Sequence, residues 1–188
     1  MNLKKILISS LVVASTLFAG NYNVDKSHSS VGFKVKHMMI SNVKGTFDEF
    51  QGKFTYDEKT NTLKTFNGKI KVSSINTANK DRDDHLKSEE IFSAKKYPEI
   101  TFKLTSIKGD TAYGDLTMKG ITKNIKLDYE VGGTMKDPWG NHIAAFALSG
   151  KLKRSDYGIK WNKVLEAGGV AVSDTVKLEI EIEGKKEK

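Results

Sequence analysis

Apolar and polar residues alternate with a period of two along most of this chain, and that pattern sets the expected fold class. Val31, Phe33 and Val35 alternate with Gly32, Lys34 and Lys36. The same alternation recurs at Ile70 and Val72, at Phe102 and Leu104, at Leu116 and Met118, at Leu127, Tyr129 and Val131, at Phe146, Leu148 and Leu152, and at Leu178, Ile180 and Ile182. The residues between them are mostly charged or small and polar. Each strand therefore has one greasy face and one wet face, unlike a parallel sheet buried on both sides. With residues 44–56 added, the pattern gives about eight long strands. Turn signals at 57–61, 108–110, 120–123 and 137–141 separate them, and short links pair sequential neighbours antiparallel. Closing such a sheet on itself removes its exposed edges, so an all-β, eight-stranded antiparallel barrel is expected; a two-sheet sandwich is the alternative.

Two segments break the alternation. Residues 81–94 read as a helical patch capped by Asp81, with Asp83 and Asp84 in the first turn, where the helix dipole favours negative charge. Tyr97-Pro98 then restores extended backbone. This predicts one short helical lid on a sheet protein. The second break, 154–173, is a long connection with a flexible point at Gly168-Gly169, and connections of that length are often functional.

The start of the chain reads as export. Lys4 and Lys5 precede an apolar run over 6–18, and Ala19 or Gly20 offers a small residue for cleavage. The run is shorter than the roughly 20 residues a spanning helix needs. A signal peptide over 1–19 and a single domain over 20–188 are expected, located in the periplasm or secreted. With no cysteine at the cut site, a lipoprotein anchor is excluded. With none anywhere, thiol catalysis and cysteine metal sites are excluded too, and core and sheet must hold the domain together. The formal charge is +8; without Lys4 and Lys5 it is 29 basic against 23 acidic, or +6. Only two of the cations are arginines, Arg82 and Arg154, and no arginine and aromatic patch of the nucleic-acid type exists. The lysines read as a solvated surface, with peripheral attraction to anionic membranes as a weaker consequence.

Motifs for chemistry are sparse. His28, His37, His85 and His142 lack metal-ligand spacing, and no nucleophile elbow or phosphate loop is present. What remains is the apolar interior. An eight-stranded barrel is either filled by side chains or holds one slim ligand. Ten buried methylene-sized groups, at roughly 0.8 kcal/mol each, would give about 8 kcal/mol, or micromolar affinity, without any polar motif.

Several stretches together resemble the YceI family of exported bacterial proteins. They are Asp25-x-x-His28-Ser29-Ser30-Val31-x-Phe33-x-Val35-x-His37, Phe47-x-x-Phe50-x-Gly52, and Arg82-Asp83-x-His85-Leu86-x-Ser88 with Phe92 and Tyr97-Pro98-x-Ile100-Thr101-Phe102. Gly114-x-Leu116-Thr117-Met118-x-Gly120-Ile121-Thr122-Lys123 follows, then Arg154-Ser155-Asp156-Tyr157-Gly158-Ile159 and Val172-Ser173-Asp174-x-Val176. The resemblance implies a lipocalin-like barrel around a long amphiphile: an isoprenoid lipid such as an isoprenoid quinone or polyprenyl chain, or a fatty-acid-like molecule. It implies no established catalytic residues and, for some members, a homodimer; the ligand is expected to be held non-covalently, with no covalent cofactor and, from the histidine spacing, no metal.

Val31, Phe33, Val35, Ile70, Phe102, Leu104, Met118, Phe146 and Leu148 are the expected tunnel lining, with Tyr157 and Trp161 meeting a polar head near a mouth. Two other readings compete. One is an enzyme acting on such a lipid, with Asp83, His85, Asp156 and Tyr157 as candidates. The other is a stress or surface-adhesion protein that works through its basic exterior.

Overall fold

The computed structural model describes residues 19–166 and 168–188. The expected signal peptide, 1–19, lies outside the described residues apart from Ala19. Among the described residues eleven strands form one sheet: β1 Ala19–Val24, β2 Ser30–His37, β3 Ser41–Phe47, β4 Phe50–Asp57, β5 Thr62–Lys71, β6 Ile75–Asn76, β7 Glu99–Lys108, β8 Thr111–Met118, β9 Ile121–Lys136, β10 His142–Lys153 and β11 Val172–Lys186. Eight of them close a ring in the order β1-β4-β5-β7-β8-β9-β10-β11, with β11 returning to β1, and every pairing is antiparallel. The eight-stranded antiparallel barrel expected from the alternation is the fold.

β1 and β2 are one long stave with a kink. Both pair with β11, β1 at residues 184–186 and β2 farther up at 176–181 and 172. Between them, Lys26–His28 form a turn of 3₁₀ helix. Past the kink the wall forks: β1 pairs with β4, whereas β2 pairs with β3, and β3 with β6. Residues 44–56, read as one strand, are two, broken at Asp48-Glu49 where the chain crosses this fork.

The kink is stitched by the opening motif. The Asp25 N–H donates to the Glu183 carbonyl at 2.8 Å, and Ser29 bonds to both backbone groups of Glu183. The Asp25 carboxylate caps the 3₁₀ turn through the Ser27 N–H at 3.0 Å and meets the Lys185 ammonium at 2.7 Å. His28 belongs to the stitch, and His37 ends β2.

The helix α1, Lys80–Lys87, is shorter than the sequence suggested and starts earlier. Its cap is Asn79, whose side chain accepts from the Arg82 N–H at 2.9 Å, not Asp81. Ser88 leaves the helix with extended ψ, and residues 88–94 continue as turns held by bonds such as Phe92 N–H to the Leu86 carbonyl. Val131 was read as an inward position. It does pair with the inward-facing Phe146, yet it is 46 % exposed; the bulge at Gly132-Gly133, opposite Ala145 and Phe146, follows it and ends the regular alternation of β9.

The interior holds two apolar clusters. One fills the end bearing the β9–β10 turn: Phe146 is ringed by Phe54 and Phe66, both at 5.2 Å, and by Tyr129, while Tyr22 stacks on Phe54. The other lies under α1 and the long loop and includes Phe47, Ile91, Ile100, Met118, Tyr157 and Ile159. Phe102, Ile125 and Ile180 touch both clusters and form the waist between them.

Candidate functional site

Above the waist the barrel is hollow. β11 shows where the change occurs. Its inward residues Val176, Leu178 and Ile180 are only half-buried, although they alternate with outward, exposed Lys177, Glu179 and Glu181. The next inward pair, Ile182 and Gly184, is buried. Half-exposure on the inner face means that the side chain borders empty space. A cavity of about 530 Å³ occupies that space, within the range of small-molecule sites.

Its floor is the top of the solid cluster: Phe66, Leu127, Leu148 and Ile182. Its walls are almost wholly aliphatic and aromatic, with Val31, Phe33, Val35, Ile70, Ile100, Leu116, Met118 and Leu178 among them. Leu86, Ile91 and Phe92 cover it from the lid, and Ile159 and Trp161 from the long loop. Two glycines keep the tube open. A Cβ on Gly45 would lie 2.4 Å from the Phe33 ring, and one on Gly114 would lie 2.2 Å from the Phe102 ring. With hydrogen at both positions, these two rings lie close against the wall.

Polar groups reach the lining mainly at the lid. Asp81, Arg82 and His85 from α1 border the cavity, as do Gln51 and Lys69. Arg82 is half-buried; its Nε donates to Thr77 Oγ1 at 2.8 Å and a terminal nitrogen to the Thr77 carbonyl at 2.7 Å. No carboxylate of the described residues pairs with it. Asp83 accepts from the backbone and hydroxyl of the same buried Thr77, so the motif's two charged residues fasten the lid to the end of β6. His85 Nε2 lies 2.9 Å from Glu90, and its ring meets Trp161 edge-on at 4.8 Å, joining lid to loop.

The second arginine holds the loop. Arg154 is 8 % exposed and donates to the carbonyls of Ile159, Trp161, Val172 and Ser173. Burial pushes its pKa down, and nearby Asp174 partly opposes that shift. Asp174 in turn accepts from the Ser155 N–H at 3.0 Å and hydroxyl at 2.7 Å, and Gly158, with φ of 73°, closes the turn. Both arginines of the chain thus border the cavity and brace its cover.

Eight of the expected lining residues border the hollow: Val31, Phe33, Val35, Ile70, Phe102, Met118, Leu148 and Trp161. Three do not. Leu104 and Phe146 face inward below the waist, inside the solid cluster. Tyr157 is fully buried in the upper cluster rather than at a mouth, and burial beside Asp156 pushes its hydroxyl up to about 12. Alternation tells inside from outside but carries no information on height along the barrel axis. The reading also missed the lid's Leu86, Ile91 and Phe92 as cover; the apolar spacing 86-91-92 inside a polar patch was the available signal.

The enzyme candidates do not converge. Asp83 is spent on Thr77, His85 on Glu90, and no hydrogen bond joins any two of Asp83, His85, Asp156 and Tyr157 among the described residues. Asp25, His28 and Glu183 place one donor atom each within 4.8 Å of one another. The Lys185 ammonium already pairs with Asp25 of that cluster, which serves the kink.

A closed antiparallel barrel with a covered apolar hollow defines the class. The chain belongs to the YceI family: the model of the YceI-like domain matches residues 22–184. It is 41% identical over 165 residues to UPF0312 protein SA2479 of Staphylococcus aureus, covering 87% of this chain and 96% of that one. The solved YCEI protein of Campylobacter jejuni is 38% identical, with a TM-score of 0.70 over 87% of this chain and 96% of its own. A polyisoprenoid binding domain from Saccharophagus degradans shares the fold, with a TM-score of 0.63 at 16% identity over 88% and 98% of the two chains.

Proposed function

We propose that this protein is a non-enzymatic, exported binding protein that carries or sequesters one isoprenoid lipid or similar single-chain amphiphile. The observation that carries the reading is the 530 Å³ apolar hollow above the waist. At about 30 Å³ per water-sized group, 530 Å³ takes on the order of 18 groups, or three to four isoprene units. Full burial of such a tail is worth about 14 kcal/mol at roughly 0.8 kcal/mol per group. Even after an association cost of about 6 kcal/mol, this leaves micromolar affinity or better. A longer polyprenyl chain extends past the lid. The polar head sits near Arg82, His85 and Trp161, where a guanidinium without a carboxylate partner offers free donor capacity. An isoprenoid quinone, a polyprenyl chain and a fatty acid all fit that description, and the fold shared with a polyisoprenoid binding domain favours the isoprenoid. The leader-like residues 1–19 favour the periplasm as the site of action.

Native mass spectrometry of the protein stripped with organic solvent and then mixed with a short-chain isoprenoid quinone tests this. One quinone per chain is the expected stoichiometry. If neither the quinone nor a fatty acid of comparable length is taken up, the reading fails.

A further inference from the structure

The end of the barrel that carries the lid also carries exposed apolar side chains. The β2–β3 turn is Met38-Met39-Ile40, with 46 %, 58 % and 83 % exposure. Met38 and Met39 both adopt left-handed backbone, φ 47° and 65°, a conformation that Asn-Gly takes without strain. The strained turn displays two flexible thioethers and an isoleucine to solvent. The long loop stands beside it: the Met38 N–H donates to the Ala171 carbonyl at 2.8 Å, and a Cβ on Gly169 would lie 3.5 Å from Met39 Cγ. Val164, on the same loop, is 85 % exposed. Next to this tip lie cavity residues, with His37 just before the turn, Trp161 on the loop and Val172 at the start of β11.

Charge separates this tip from the other apolar tip of the barrel. Residues 36–44 and 160–172 hold Lys36, Lys44, Lys160 and Lys163 against Glu166 alone, a net charge of +3. None of these four lysines is paired with a carboxylate among the described residues. The β9–β10 turn at the opposite end exposes Met135 and Trp139, but residues 131–142 hold one lysine, Lys136, and one aspartate, Asp137, a net charge of zero. Apolar side chains ringed by unpaired cations match an anionic lipid interface; apolar side chains without net charge do not.

We propose that the protein docks lid-end first on an anionic phospholipid surface, with Met39, Ile40 and Val164 entering the interface and the surrounding lysines on the headgroups. Among the described residues no helix is long and apolar enough to cross a membrane. Docking this way puts the cavity cover against the bilayer, where an amphiphile passes between membrane and barrel with little exposure to water. The docking extends the lipid-cavity reading without depending on it.

Co-sedimentation of the full protein with phosphatidylglycerol-rich vesicles and with pure phosphatidylcholine vesicles tests the surface. Quinone uptake by the stripped protein, measured separately, reads the cavity alone. The expected result is partition to the anionic vesicles only, weakened as salt rises from about 0.05 M to about 0.5 M. The double variant Ile40→Glu, Val164→Glu should lower partition about tenfold with quinone uptake unchanged, while Trp139→Glu should leave partition unchanged. Three results overturn the proposal: no partition to anionic vesicles, an equal loss in Trp139→Glu, or a dimer that Ile40→Glu dissociates without vesicle binding.

Discussion

Replacing Ile180 by tryptophan separates a hollow barrel from a merely loose one. Ile180 sits at the waist, in contact with both clusters, and borders the cavity. The change adds six atoms of a fused ring, on the order of 60 Å³ or the room of about two water-sized groups at about 30 Å³ each, roughly a ninth of the 530 Å³ available. Displacing about two ligand groups at roughly 0.8 kcal/mol each costs binding about 1.6 kcal/mol, about fifteenfold in Kd. Folding should hardly suffer, because the added ring fills empty space. A smaller change in the solid end behaves oppositely. In Gly184→Ala, the new Cβ would lie 2.4 Å from the ring of buried Phe54 and 2.9 Å from the Asn23 carbonyl. Overpacking there costs about 1–3 kcal/mol. Urea unfolding midpoints give the stabilities, and displacement of a fluorescent fatty acid gives the affinities. If Ile180→Trp loses as much stability as Gly184→Ala, or still binds like the parent, the space above the waist is not a ligand chamber.

Gly114→Ala should push the Phe102 ring into the lumen, weakening ligand uptake in the same titration by about tenfold, with a smaller loss of stability. Arg154→Leu removes the donors to four loop carbonyls and should cost about 2–4 kcal/mol; hydrogen exchange should rise in residues 155–173 before it rises in the strands. Asp25 is held well below the ordinary carboxylate range, chiefly by Lys185 and then by Ser27. A depressed carboxyl contributes stability that is fully present above about pH 4 and lost as pH falls through its folded value. Asp25→Asn should therefore lower stability at neutral pH and flatten its decline below about pH 4, as read from urea midpoints across that range.

The strand alternation made the barrel legible because a closed antiparallel sheet needs only inside and outside specified, residue by residue. Val31, Phe33 and Val35 were placed correctly for that reason. Leu104 and Phe146 have the same signature as Phe102 and Leu148, and only the register of β7 on β8 and of β10 on β9 sets them below the waist. The kink escaped notice because Asp25 and Glu183 are 158 positions apart, and nothing local marks their pairing. The helix start was misjudged by two residues: Asn79 and Asp81 are both good caps, and the choice fell to Asp83 and Arg82, which must reach Thr77. Tyr157 looked like a mouth residue because it follows charged neighbours in a loop, yet Arg154 folds that loop inward and buries it.

The most direct test is an electron-density map of the protein crystallised without added lipid and again after soaking with an isoprenoid quinone. The account requires continuous, chain-like density in the second map, running from Phe102 and Ile180 up to Trp161, with the head beside Arg82. Side chains from opposite walls meeting across that space, with no density for a guest in either map, would contradict it.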